Sequence, residues 1–60
     1  MDYSMTQHQI DVLGIIFLTK QITYHALADM AGLDPRPDKM IDLSKDQAAQ
    51  LIDCANKNLT

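Results

Sequence analysis

The chain carries the same helix-start signal twice, at Met5-Thr6-Gln7-His8-Gln9-Ile10 and again at Leu43-Ser44-Lys45-Asp46-Gln47-Ala48. In each, a Thr or Ser hydroxyl can accept from an orphan amide of the first turn, and a Gln three residues on can accept from the cap residue's own amide. An apolar residue before each cap, Met5 or Leu43, can staple to Ile10 or Ala48 one turn inside the helix; the small side chain of alanine makes the second staple the weaker. Two marked helices bracketing a chain of 60 residues leave room between them for one short helix and an ordered loop. The expected fold is therefore all-α, a small three-helix bundle with a proline-containing ordered loop between helices 2 and 3, forming one domain over residues 1–60.

Helix 1 is expected over about residues 7–20, because Ile10, Leu13 and Phe17 recur at helical spacing with Gly14 beside them. Ile16 and Leu18 flank that stripe, whereas Val12 and Ile15 fall outside it, alongside His8 and Thr19. The β-branched and aromatic content of 12–18 would also suit a strand, but the cap favours a helix. Thr23 is the best cap for helix 2, expected over about 24–31, with Tyr24, Leu27, Ala28 and Ala31 on one face and Met30 beside it. Gly32 stands where a left-handed residue ends a helix, and Leu33 can fold back onto it. Asp34-Pro35-Arg36-Pro37-Asp38 cannot continue the helix, since each proline lacks an amide hydrogen and restricts its predecessor. Met40 and Ile41 are expected to anchor this connection from beneath. Helix 3, over about 45–57, should bury Ala48, Leu51, Ile52 and Ala55. Met1 to Met5 reads as a frayed lead-in.

Composition narrows the function. Five Lys and Arg stand against eight acids, all Asp, for a net charge of −3. A duplex-binding protein usually concentrates cations in a stripe; here Lys20, Arg36, Lys39, Lys45 and Lys57 are scattered, so generic nucleic-acid affinity is disfavoured. A hydrophobic fraction of 47% suits a folded domain. One cysteine, Cys54, allows no internal disulfide. The beginning of the chain lacks a leader pattern, and its longest apolar run, Ile15 to Leu18, is too short to span a bilayer, so no membrane association and a cytoplasmic location are expected.

No motif brings chemistry with it. His8 and His25 have no zinc spacing with Cys54, and Asp34, Asp38, Asp42 and Asp46 lack the central glycine and closing glutamate of a calcium loop. A nucleophile elbow, a phosphate loop and a paired-carboxylate site are all missing. No enzymatic activity, cofactor or metal is expected. Tyr24 to Leu33 resembles the first helix and turn of a helix-turn-helix, but Asp34-Pro35-Arg36-Pro37 stands where the second helix should begin.

A broader resemblance runs through Thr6 to Leu13, Leu27 to Gly32, and Ile41-Asp42-Leu43-Ser44-Lys45-Asp46-Gln47-Ala48-Ala49-Gln50-Leu51-Ile52-Asp53. This order resembles the small C-terminal helical domain of phage recombination proteins, of the Red beta and essential-recombination-function kinds of single-strand annealing protein, and the ending of GemA-like phage regulators. Leu43, Ser44, Gln47, Ala48, Leu51, Ile52 and Asp53 carry the match in the last helix. The resemblance implies a module that docks protein partners, such as a recombination nuclease, a single-strand-binding protein or a host factor; annealing activity is not carried over to these helices. The expected function is thus a non-enzymatic protein–protein interaction module of phage or mobile-element origin. His8, Val12, Ile15 and Thr19 form its candidate partner interface, which a homodimer would also satisfy. The alternative is a small helix-turn-helix-like DNA-binding transcriptional regulator with Arg36, Lys39 and Lys45 at phosphates.

Overall fold

In the computed structural model, which describes residues 4–59, both capping boxes form. Thr6 Oγ1 accepts from Gln9 N at 3.1 Å while Gln9 Oε1 accepts from Thr6 N at 2.9 Å. Ser44 Oγ and Gln47 repeat the exchange at 3.1 and 3.0 Å. They open helices α1 (Gln7–Thr19) and α3 (Lys45–Asn58). Between them Thr23 caps α2 (Tyr24–Ala31), its hydroxyl accepting from Ala26 N at 3.2 Å. A single 3-10 turn, η1 (Met40–Asp42), interrupts the long connection.

The two inner helix ends use the same device with different residues. After α2, Gly32 takes the left-handed conformation at φ 67°, and the amide of Leu33 returns to the Ala28 carbonyl at 3.0 Å. Glycine adopts this φ without steric cost. After α1 the left-handed position is held by Gln21 at φ 53°, with Ile22 N reaching back to Phe17 O at 3.3 Å. A side chain there costs on the order of 1 kcal/mol, so the α1–α2 corner is a strained version of the one that follows α2.

α3 is the shared helix, packing against both α1 and α2. Leu13 from α1, Leu27 from α2, Leu51 from α3 and Leu43 just before it are fully buried, with Ala28, Ala48 and Ala55 filling between them. Burial of each leucine contributes about 1.5–3 kcal/mol. The whole measures 33 × 22 × 18 Å. No helix among the described residues is long and apolar enough to cross a membrane.

The structure corrects three sequence expectations. The lead-in is not wholly frayed: Ser4 forms an antiparallel bridge with Ser44, and Met5 is buried with its amide on the Leu43 carbonyl at 3.3 Å. Met1, Asp2 and Tyr3 lie outside the described residues. Ile41 does not anchor the connection; it is 57% exposed, Met40 is half-buried, and Leu43 takes the core position. The 3-10 turn has too few residues to turn both Met40 and Ile41 inward, and the extended Leu43 that follows it points at the core. Ile52 is half-buried rather than core.

Candidate functional site

α1 presents its inward and outward faces unequally. Leu13 is its one fully buried residue, with Ile10, Ile16 and Phe17 packed partly around it. At about 100° per residue, Ile15 stands roughly opposite Leu13 and Leu18 lies to one side of Ile15. Ile15 is 59% exposed and Leu18 81%, the most exposed large apolar side chain among the described residues. His8 and Thr19 are exposed beside them, while Val12 is half-buried on the shoulder. The Thr19 hydroxyl donates to the Ile15 carbonyl at 2.8 Å, so its polar hydrogen is already used within the helix. One turn toward the N-terminus, Gln7 donates to Asp11 at 3.0 Å, forming a self-paired polar border.

The four residues expected at the interface therefore lie along one side of α1, with Ile15 at one edge and the half-buried Val12 at the other. Leu18, which the stripe pattern had placed beside the core, was missed as part of this surface. Its angular distance from Leu13 was the available signal, since the last turn of α1 needs neighbours on that flank to cover it. The other large exposed apolar residues, Met30 and Ile41, come singly from α2 and η1.

Arg36, Lys39 and Lys45 sit on three separate pieces of chain: the loop, the residue before η1, and the first position of α3. Arg36 donates to Asp29 at 2.6 Å, so its guanidinium ties the loop to α2. Residues 32–44, including η1, occupy the place where a helix-turn-helix has a short turn. Tyr24 reinforces the same tie, its hydroxyl donating to the Pro37 carbonyl at 2.6 Å. Burial raises the Tyr24 pKa above its ordinary value; the nearby Arg36 opposes the shift, and Asp38 and Asp42 add to it.

Both cap glutamines also bind at a distance. Gln9 Nε2 donates to the Lys45 carbonyl at 3.1 Å, linking the start of α1 to the start of α3. Gln47 Nε2 donates to Pro35 O at 3.0 Å, fastening the proline loop over α3. A shallow open concavity lies there, lined by Ser4, Asp42, Leu43, Ser44 and Gln47. The capping box engages Ser44, and Gln47 bonds both that box and Pro35.

Cys54 is half-buried, with Asn58 Nδ2 3.4 Å from its sulfur. Among the described residues, no group of three or more His, Cys, Asp or Glu side chains is placed to hold a metal ion. No protein-family model matches the chain, and no curated protein or solved structure matches it either.

Proposed function

We propose that the protein is a non-enzymatic interaction module that docks a protein partner through the outward face of α1. The observation that carries this reading is the pair of exposed apolar side chains, Ile15 and Leu18, on a helix whose opposite side already supplies the core. Apolar side chains grouped on one exposed face mark association surfaces more often than singly scattered ones do. The finer assignment, to a phage or mobile-element recombination context with a nuclease, a single-strand-binding protein or a host factor as partner, is supported by the pattern Leu43, Ser44, Gln47, Ala48, Leu51, Ile52 and Asp53, which runs from just before α3 to its middle.

The test is site-specific photo-cross-linking in the producing cells, with the probe at Thr19 and, as a control, at Asp53 on the exposed side of α3. The reading requires a discrete cross-linked protein from position 19, absent from position 53, and its loss when Ile15→Lys is added to a chain that still folds. A charge without a partner in a desolvated contact is expensive enough to release the partner. No position-specific product, or one indifferent to Ile15→Lys, contradicts it.

A further inference from the structure

The side of α1 opposite Leu13 is a helical stripe in its own right. His8, Asp11, Ile15 and Leu18 follow one another at steps of three, four and three residues, the spacing by which one helix seats along another. All four are exposed. Gly14 lies on the flank of this stripe, one turn before Leu18. A glycine inside a helix is destabilising, and the fold does not require this one: its φ is not left-handed, and a Cβ built on it meets nothing within 4 Å. It leaves a hollow where a second backbone can come close.

The stripe is charged toward one end and apolar toward the other. Asp29 and Asp53 are held by Arg36 and Lys57 at 2.6 and 3.1 Å. Among the described residues no cation stands within ion-pair reach of Asp11, which accepts from the neutral amide of Gln7 at 3.0 Å. No Lys or Arg belongs to α1, and Lys20, its C-cap, lies on the Leu13 side. This polarity sorts the occupants. A second copy laid antiparallel along the whole stripe sets each Asp11 carboxylate against an Ile15 side chain, desolvated without a counter-charge. A parallel copy sets Asp11 against Asp11. An antiparallel overlap confined to Ile15 and Leu18 joins only the last turn of each helix, too small a contact for a stable pair. An anionic lipid surface or a nucleic-acid backbone meets the same carboxylate, on a chain of net charge −3. Building on the reading of α1 as a docking face, we infer that its occupant is a helix of another protein that sets a Lys or Arg against Asp11. One and two turns along, its aliphatic side chains cover Ile15 and Leu18, and its backbone passes close over Gly14.

A selection for helices on the full chain tests this. A displayed library of alanine-based helical peptides of about 20 residues, randomised along one face, is selected on the immobilised protein, and the enriched peptides are then titrated in solution. Enriched sequences should carry Lys or Arg one turn from paired aliphatic residues. Ile15→Lys should weaken them by about tenfold or more, and Asp11→Asn by about three- to tenfold, each with helical circular dichroism unchanged. Selection on Asp11→Lys should return Asp or Glu at the same peptide position, a swap that a merely adhesive apolar surface does not produce. Failure to enrich any peptide sensitive to Ile15→Lys overturns the inference, as do enriched helices without a cation, or equal affinity for Asp11→Asn. Unfolding by Asp11→Asn would assign the carboxylate to the fold and overturn it too. Self-association of the parent that tightens in Asp11→Asn overturns it in favour of a second copy. The wider docking reading is decided separately, by the cellular cross-link at position 19.

Discussion

α1 and α3 begin with the same chemistry and end with different roles. Each has a hydroxyl cap, a reciprocating glutamine and an apolar residue before the cap. α3 then buries Ala48, Leu51 and Ala55 between two neighbouring helices, whereas α1 fully buries Leu13 alone and carries Ile15 and Leu18 into solvent. A capping box specifies where a helix starts and says nothing of how many sides its neighbours cover. The helix in the middle of the bundle is satisfied by the fold; the outer helix has apolar surface to spare, and the case for function rests on that surplus.

The largest effect that probes this contrast is Leu51→Ala. It removes a fully buried side chain from the shared helix and should cost about 2–5 kcal/mol. A domain of 60 residues has a total stability of roughly 3–9 kcal/mol, so the variant should lose about half of its stability or more and melt at a clearly lower temperature by circular dichroism. A loss under about 1 kcal/mol would deny α3 its central place. Next come the caps, where Thr6→Ala and Ser44→Ala should each cost about 1 kcal/mol by urea unfolding, since the two boxes are alike. Gln47→Glu and Gln9→Glu sharpen that comparison: each keeps an acceptor for its cap residue's amide but loses a donor, to the Pro35 carbonyl in one and to the Lys45 carbonyl in the other, so each should cost about 1 kcal/mol by urea unfolding, and the ratio of the two losses compares the hold of the proline loop on α3 with that of α1.

The smallest of these effects is a pH dependence at the α2–loop junction. Because burial raises the Tyr24 pKa in the folded chain, folding favours the neutral phenol. That contribution is fully present below the unfolded tyrosine value of about 10 and is lost as the pH rises through the folded value. Urea unfolding at increasing alkaline pH should show a decline in the parent that is shallower in Tyr24→Phe. An identical decline in both would remove Tyr24 as its source.

The elements whose signals are local were legible in the sequence. Thr6 and Gln9, Ser44 and Gln47, Thr23 and Gly32 act within a turn of themselves, and Leu13, Leu27, Ala28, Leu51 and Ala55 follow from helical spacing. Features that depend on distant partners were not legible. Met5 is buried because its strand-like segment meets Leu43, a pairing that no local pattern announces. Gln21 holds a left-handed corner without the glycine or asparagine that would mark it. Leu43 displaced Ile41 as the loop's anchor because the direction of each side chain was set by a 3-10 turn that spacing arguments do not resolve. Of the candidate site, Ile15 was legible from its angle to the core stripe; the angle of Leu18 was legible too, but its place on the flank of the stripe left open whether a neighbouring element would cover it, and none does.

The central claim is that the outer face of α1 takes no part in holding the fold. The direct measurement is urea unfolding of the double variant Ile15→Lys, Leu18→Lys beside Leu13→Ala, at protein concentrations low enough to keep the chain monomeric. The account predicts that the double variant unfolds within about 0.5 kcal/mol of the parent, as exposed substitutions do, while Leu13→Ala on the opposite face loses about 2–5 kcal/mol. A loss in the double variant comparable to that of Leu13→Ala would make Ile15 and Leu18 part of the core and contradict the account.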